Sequence, residues 1–228
     1  MVTTIYAHRG ASAEKPENTL AAFGRALELG AYGIELDVHL SRDGVPVVMH
    51  DERVDRTTDG TGEIAELSVQ ELQQLDAGGG ERVPTLAEVC DLVEGRVHLN
   101  IEVKANAAAE AVMREVLQRP KLQWAISSFD WDVLRTVRKQ HGQAELWPLT
   151  IGATEDALAL AEEIRAHQLN LYDAAVDEDI IAFLRDRGIG AWVWTVNDPK
   201  RAADLVGWGA VGICTDDPAR IQNVVSPR

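Results

Sequence analysis

The sequence contains only two cysteines, Cys90 and Cys214, among 228 residues. Two cysteines are too few for a disulfide framework, and because both lie in apolar runs we expect small buried side chains there. The sequence also has no run of about 20 apolar residues, and no basic stretch followed by a long apolar one near its start. We therefore expect a protein of the reducing cytoplasm, without a signal peptide or a stable membrane association.

Positive charge is scarce as well, because 22 lysines and arginines stand against 37 acidic residues, for a formal net charge of −15. This balance argues against nonspecific binding to nucleic acids and against docking on anionic lipid. A small anionic substrate needs only local positive charge and stays compatible with it. No glycine-rich nucleotide fingerprint follows the first apolar run, which argues against a Rossmann fold.

Apolar runs of strand length alternate with helical patterns along most of the chain. The run 5–7 precedes a helical pattern that begins after Asn18 or Thr19 and stops at Gly30. Eight strands are predicted in all. They are the run 5–7, a strand from residue 33, and the later runs 97–103, 124–127, 144–149, 169–172, 191–196 and 211–214. The helical patterns between them cover 107–117, 130–140, 154–165, 177–187 and 199–206. This order predicts an α/β fold, a (β/α)8 TIM barrel formed by one domain over 1–228, with a doubly wound open sheet as the alternative.

The stretch 33–51 has the pattern of a β-hairpin, with a turn signal at Arg42-Asp43-Gly44. If the turn centres between Asp43 and Gly44, Asp37 lies opposite His50. From about 51 to 84 the patterns weaken into loops and short helices, which predicts a small insertion after the second strand. A capping box formed by Thr85 and Glu88 then begins the next helix.

Chemically capable residues cluster at the ends of three predicted strands, where barrel enzymes carry their active sites. The residues are His8, Arg9, Glu35, Asp37, Glu102 and Lys104, with His50 brought back by the hairpin. Close carboxylates repel one another unless a cation lies between them, and all-oxygen ligands favour Mg²⁺ or Ca²⁺. Beside Arg9 and Lys104, such a cation would neutralise a phosphate group while the two histidines transfer protons. Asp51 and Glu17 are candidate carboxylate partners for a protonated histidine. On the hairpin alone, an ordinary solvated acidic strand face is the competing interpretation.

The motifs of the chain resemble, nearly from end to end and in the same order, those of the glycerophosphodiester phosphodiesterase family. The matching motifs are His8-Arg9-Gly10, Pro16-Glu17-Asn18-Thr19, Glu35-Leu36-Asp37-Val38, Asp43-Gly44-Val45-Pro46-Val47-Val48, His50-Asp51, Arg56-Thr57-Thr58-Asp59-Gly60, Pro84-Thr85-Leu86, Asn100-Ile101-Glu102-Val103-Lys104, Ser127-Ser128-Phe129, Trp194-Thr195-Val196-Asn197 and Thr215-Asp216. The resemblance implies a TIM barrel with an insertion after its second strand, and hydrolysis of a glycerophosphodiester to glycerol 3-phosphate and an alcohol. It places the protein in lipid and glycerol metabolism.

The resemblance also implies a role for each site residue. Glu35, Asp37 and Glu102 are expected to bind a divalent metal, Mg²⁺ or Ca²⁺. His8 and His50 are the expected acid–base pair, with His8 as base and His50 as acid. The expected substrate contacts are Arg9 and Lys104 for the phosphate, and Phe129 and Trp194 for the glycerol or alcohol group.

Two alternatives stay open from the sequence. One is a phospholipase D-like or sphingomyelinase D-like barrel acting on lipids with tails, which the polar loops and the acidic charge disfavour. The other is a catalytically inactive barrel that binds phosphodiesters, which is disfavoured because the set of histidines and carboxylates is complete. The expected partner is a small-molecule substrate, and the protein is expected to be a monomer or a homodimer.

Overall fold

The computed structural model describes residues 2–225, and within them eight parallel strands close into a barrel. The order around the barrel is β1-β2-β4-β5-β6-β7-β8-β9, and β1 pairs with β2 and with β9. The ninth strand, β3, is antiparallel to β2 and lies outside the ring. The strands are β1 (Thr4–His8), β2 (Gly33–Leu40), β3 (Pro46–Val48), β4 (His98–Val103), β5 (Gln123–Ser128), β6 (Leu146–Thr150), β7 (Gln168–Tyr172), β8 (Gly190–Trp194) and β9 (Gly212–Thr215). The prediction of a (β/α)8 barrel is confirmed.

The helices lie outside the ring of strands. They are α1 (Leu20–Glu28), α2 (Val69–Leu72), α3 (Leu86–Val93), α4 (Ala109–Leu117), α5 (Trp131–Gln140), α6 (Glu155–Glu163), α7 (Glu178–Arg185), α8 (Pro199–Trp208) and α9 (Pro218–Val225). Thr85 caps α3 in the predicted capping box with Glu88. Across the part of the chain that the structure describes, each helix is too short or too polar to cross a lipid bilayer.

Strand alternation explains how one strand serves both the core and the site. On β2, Ile34, Leu36 and Val38 are fully buried in the apolar layer beneath the helices. Glu35 and Asp37 alternate with them, so their side chains point to the other side, into the barrel. Burial of the apolar face against α1 and α3 therefore holds the two carboxylates at the barrel interior.

The hairpin of β2 and β3 is present, but the register predicted from its turn is wrong by one residue. Val38 pairs with Val48, and the Met49 N–H donates to the Asp37 carbonyl oxygen at 3.0 Å, so Asp37 is opposite Met49 rather than His50. The reason lies in the loop, which includes Gly44 with a positive φ of 76°. A left-handed residue after a tight turn adds one residue to the loop and shifts the pairing. His50 follows β3 and still lines the same cavity as the carboxylates.

The segment between β3 and α3 carries two short 3₁₀ turns and α2, and it has an apolar cluster of its own. The buried members of that cluster are Val47, Met49, Val54, Ile64, Leu72, Ala77 and Val83. Leu72 and Val54 are fully buried, so the segment packs as an ordered layer beside the barrel mouth. The short helix of this segment, α2, begins after the N-cap Ser68 and ends at Leu72.

Candidate active site

A cavity of about 300 Å³ opens at the carboxyl ends of the barrel strands. Its wall includes His8, Arg9, Glu35, His50, Glu102 and Lys104 on one side. The parallel register explains their proximity, because Asp37 pairs with Glu102 across β2 and β4, and His8 pairs with Glu35 across β1 and β2. Seven of the residues singled out from the sequence therefore come from adjacent strand ends or from the hairpin beside them.

Three buried carboxylates form the centre of the site. One oxygen each of Glu35, Asp37 and Glu102 lies within 4.8 Å of the other two. Burial and the negative charges of Asp37 and Glu102 raise the pKa of Glu35 well above its ordinary value. Burial and the charge of Asp37 raise the pKa of Glu102 to about 7. Burial is the larger cause of both raised pKa values and the neighbouring negative charge adds to it, so a bound cation would favour the ionised form of both groups.

Two cationic side chains partly balance these acids. Lys104 Nζ lies 2.6 Å from both Asp37 Oδ1 and Glu102 Oε1, and Arg9 Nε lies 3.3 Å from Asp37 Oδ2. Although burial alone would raise it, Lys104 and Arg9 hold the pKa of Asp37 below its ordinary range. Lys104 is thus held inside the cluster rather than extended into solvent.

The donor set fits a hard divalent cation. Three carboxylates offer only oxygen atoms at mutually close positions, which is the chemistry that Mg²⁺ and Ca²⁺ favour. Their burial prevents water from screening the repulsion among them. Glu35, Asp37 and Glu102 are therefore the residues that could hold a metal ion.

The first histidine is oriented by a carboxylate that follows the last strand. His8 Nδ1 donates to Asp216 Oδ1 at 2.6 Å, and Asn197 Nδ2 donates to Asp216 Oδ2 at 2.6 Å. Burial would raise the pKa of Asp216, but hydrogen bonds and the charge of His8 lower it to about 2. The ionised Asp216 leaves the Nε2 atom of His8 directed toward Glu35, 4.0 Å from its Oε2 atom.

The second histidine has the same arrangement with a different partner. His50 Nδ1 donates to Asp51 Oδ1 at 2.6 Å, and Arg56 donates to both oxygens of Asp51 at 2.6 and 3.0 Å. The hydrogen bonds from Arg56 hold the pKa of Asp51 below its ordinary range. Burial, together with Lys104 and Arg9, lowers the pKa of His50.

Arg56 also connects this pair to the other side of the cavity. It donates to Glu17 at 2.8 and 3.0 Å, and Arg9 Nη1 donates to the same carboxylate at 2.8 Å. Glu17 therefore contacts two arginines and no imidazole among the hydrogen bonds described. The prediction that Asp51 supports a histidine agrees with this geometry, whereas the same prediction for Glu17 is wrong, because the two guanidinium groups take its oxygens.

Backbone geometry positions Arg9 over the acids. Arg9 adopts a positive φ of 55°, which is uncommon for a residue with a side chain, and its N–H donates to Glu35 Oε2 at 3.1 Å. Gly10 follows with φ 82°, and a Cβ atom there would lie 2.6 Å from the Ala22 backbone in α1. A glycine is required at this turn by both conformation and space.

The other side of the cavity is aromatic. The rings of Phe129 and Trp194 meet edge to face with centroids 5.5 Å apart, and both residues line the cavity with Leu149. Trp192 is almost fully buried one layer below. The residues expected to contact an alcohol group thus face the charged side across the opening.

In the sequence, Asp216 and Asn197 stand only within two of the matching motifs, and nothing near them in the chain assigns either residue a role. Their contact with His8 depends on barrel closure, since β1 pairs with β9. Arg56 likewise stands only within a motif. It bridges Asp51 and Glu17, and Glu17 is 39 positions away from it in the chain. The usable signal is the polar residue at the end of β9, because β9 pairs with β1 in the closed barrel.

The fold and the site define a class: TIM-barrel hydrolases with an acidic centre and paired histidines. The chain matches the family model described as the glycerophosphoryl diester phosphodiesterase family over residues 8–220, and it belongs to that family. A glycerophosphodiester phosphodiesterase of Caldanaerobacter subterraneus subsp. tengcongensis is 36% identical, over 99% of this chain and 98% of that protein.

Solved structures agree with this assignment. A phosphodiesterase of Oleispira antarctica, solved with the product sn-glycerol-3-phosphate, has a TM-score of 0.94 and 29% identity, over 98% of this chain and 97% of that one. The glycerophosphodiester phosphodiesterase of Thermotoga maritima has a TM-score of 0.83 and 32% identity, over 96% of both chains.

Proposed function

We propose that this protein hydrolyses glycerophosphodiesters to glycerol 3-phosphate and an alcohol, in a reaction that depends on a divalent metal. The observation that carries the proposal is one cavity lined by three clustered carboxylates, two cations and two imidazoles that each have a carboxylate partner. Family membership over residues 8–220 supports the substrate class. No nucleic-acid substrate is proposed, since the net charge is −15.

The metal would be held by Glu35, Asp37 and Glu102. When bound, it would supply positive charge to the phosphate oxygens as charge builds on phosphorus. Arg9 and Lys104 adjoin the same carboxylates, so their side chains are positioned to contact a phosphate at this place. We propose Mg²⁺ or Ca²⁺, because every ligand offered is a carboxylate oxygen.

Proton transfer is assigned to the two histidines. We propose that His8 removes the proton of the attacking hydroxyl and that His50 protonates the leaving alcohol. Asp216 and Asp51 each accept from Nδ1, which leaves Nε2 of each ring for the substrate and stabilises the ring when it is protonated. The attacking hydroxyl is either that of water or the 2-hydroxyl of the substrate, which would give a cyclic phosphate first.

Phe129 and Trp194 are proposed to bind the glycerol group. Their rings form the apolar wall opposite the charged residues, so the carbon side of the substrate would lie against them. A phosphodiester bound in this way would lie between a charged side and an apolar side.

The deciding experiment is a metal-by-substrate panel on the purified protein. After removal of metal with a chelator, glycerophosphocholine, glycerophosphoethanolamine and glycerophosphoglycerol are each tested with Mg²⁺, Ca²⁺ or neither, and glycerol 3-phosphate is measured. We expect product only with a metal. The variant Glu102→Gln tests the metal site in the same panel. Its matched control is Glu110→Gln, which changes an exposed carboxylate on α4. Binding of these substrates without turnover under every condition would instead support an inactive binding barrel.

We further propose a single-domain protein of the cytoplasm that works as a monomer or homodimer. The support is the continuous barrel over the described residues together with the cysteine usage. Sedimentation of the purified protein measures the oligomeric state, and fractionation of the source cells measures location.

A further inference from the structure

The second histidine of the site follows a short strand. β3 has three residues, Pro46–Val48, and the main-chain hydrogen bond of the hairpin nearest to His50 runs from the Met49 N–H to the Asp37 carbonyl oxygen. The His50 side chain is 38% exposed at the wall of the cavity. A group that protonates a leaving atom must lie within hydrogen-bond reach of it. The position of His50 therefore depends on contacts beyond the main-chain pairing of the hairpin.

One side chain on β2 supplies such a contact. His39 Nε2 lies 3.0 Å from the main-chain carbonyl oxygen of His50, 11 positions further along the chain. Because a carbonyl oxygen only accepts hydrogen bonds, Nε2 carries the proton and donates it. Among the hydrogen bonds of the described residues, this carbonyl oxygen accepts only from His39. His39 thus joins the main chain of His50 directly to β2.

The place of His39 in the strand explains this contact. His39 lies on the same face of β2 as Glu35 and Asp37, since side chains two positions apart point to the same side. Its pairing partner on β3 is Val47, so its ring extends from that pair toward the end of β3 and reaches the main chain beyond it. The strand that carries two of the clustered carboxylates therefore also holds the backbone of His50.

The ring of His50 is held by its own segment instead. Asp51 is the next residue in the chain, and Arg56, which donates to Asp51, lies five positions further along. Arg56 also donates to Glu17, which belongs to the loop after β1. These bonds orient the ring within the segment, whereas the bond from His39 fixes the segment against a barrel strand. A displacement of about 1 Å in such a group can cost about 10²-fold in rate.

Resting on the function proposed above, we propose that His39 is a positioning residue, whose hydrogen bond to the main chain of His50 sets the distance over which the His50 ring transfers its proton. His39 is not among the described residues that line the cavity, so it acts through His50 rather than on the substrate. Its role adds no chemical step, because His39 donates the same hydrogen bond throughout the reaction.

Two amides of different length isolate this hydrogen bond. The side-chain nitrogen of glutamine lies about as far from the main chain as Nε2 of histidine, whereas that of asparagine ends near the position of Nδ1. His39→Gln should therefore keep the donor and a kcat within about threefold of the unaltered protein. His39→Asn should lower kcat on glycerophosphocholine by about 10–100-fold with little change in KM. His167→Leu, which changes an exposed histidine before β7, is the control and should leave kcat unchanged.

The leaving group distinguishes a misplaced His50 from a general loss of structure. p-Nitrophenol leaves as a stable anion, so His39→Asn should lose less than about threefold on the p-nitrophenyl ester of glycerol 3-phosphate. In a His50→Ala background the ring is absent, and His39→Asn should then have no further effect on glycerophosphocholine hydrolysis. This second comparison holds whichever proton His50 transfers. Independently of activity, amide hydrogen exchange in the segment 47–56 should be faster in His39→Asn than in His39→Gln.

The outcomes separate this inference from the function on which it rests. Absence of glycerophosphocholine hydrolysis by the unaltered protein under every metal condition would overturn the proposed function itself. With that hydrolysis present, full activity of His39→Asn would overturn only the role of His39, as would an equally large loss in the His50→Ala background. His39→Gln as impaired as His39→Asn would also overturn it, because the ring would then act through packing rather than through its hydrogen bond.

Discussion

His8 Nδ1 and Asp216 Oδ1 lie 2.6 Å apart, although 208 residues separate them. Their contact forms where the barrel closes, because His8 ends β1, Asp216 follows β9, and these two strands pair. Asp216→Asn should lower kcat by about 10–100-fold with little change in KM, because the amide no longer holds the ring in one tautomer. Steady-state kinetics on glycerophosphocholine tests this, with Asp217→Asn as the neighbouring control. A loss confined to KM would contradict an orienting role.

Replacement of His50 distinguishes the acid from the base. His50→Ala should lower turnover of glycerophosphocholine by about 10²–10⁴-fold, because the choline oxygen then leaves without a proton. A substrate with a p-nitrophenol leaving group needs no such proton, so the same variant should lose much less on it. His8→Ala should lose activity on both substrates. Equal losses of activity for His50→Ala on the two substrates would indicate that His50 is the base and His8 the acid.

Arg56 should be important for catalysis although it lies outside the cavity wall. It holds Asp51 and Glu17 together through four hydrogen bonds of 2.6–3.0 Å. Arg56→Lys keeps the charge but cannot make the paired contacts of a guanidinium, and kcat should fall by about 10–100-fold. Arg53→Gln is the control, because Arg53 pairs with Asp55 and Glu63, two exposed acids of the same segment. An Arg56→Lys variant with full activity would limit Arg56 to a surface ion pair.

Metal binding should stabilise the folded protein. A ligand that binds only the folded state raises the free energy of unfolding by about RT ln(1 + [L]/Kd). Thermal unfolding with rising Mg²⁺ or Ca²⁺ should therefore show a rising Tm, and Glu102→Gln should reduce or abolish the rise. Glu110→Gln should behave as the unaltered protein does. An equal rise in Tm for Glu102→Gln would remove Glu102 from the ligand set.

Asp216 should contribute to stability in a defined range of pH. Its pKa in the folded protein is about 2, below the ordinary value of 3.8. A depressed carboxyl pKa adds stability above pH ~4 that disappears as the pH falls through ~2. Urea unfolding at several pH values should show a shallower acid-side decline for Asp216→Asn than for the unaltered protein. Parallel declines would show that Asp216 has the same pKa in both states.

Much of this protein was predictable because its signals are local. The alternation of Glu35 and Asp37 with buried neighbours, and the capping box of Thr85 and Glu88, depend on residues two or three positions apart. The hairpin register was not predictable in this way, because one left-handed glycine, Gly44, shifts every pair by one residue. The contact between Phe129 and Trp194 also depends on packing around the mouth, because 65 residues separate them in the chain.

The order of strands and helices can be read from the amino-acid sequence alone, and so can the strand ends that carry carboxylates, imidazoles and cations. Both follow from interactions within a few residues and from the rule that parallel strands present their ends at one edge. Three relationships depend on the folded barrel instead: Asp216 supports His8, Arg56 joins Asp51 to Glu17, and an aromatic wall faces the charged residues. Those relationships arise when β1 pairs with β9 and the segment after β3 packs at the mouth, because closure brings together residues that are distant in the chain.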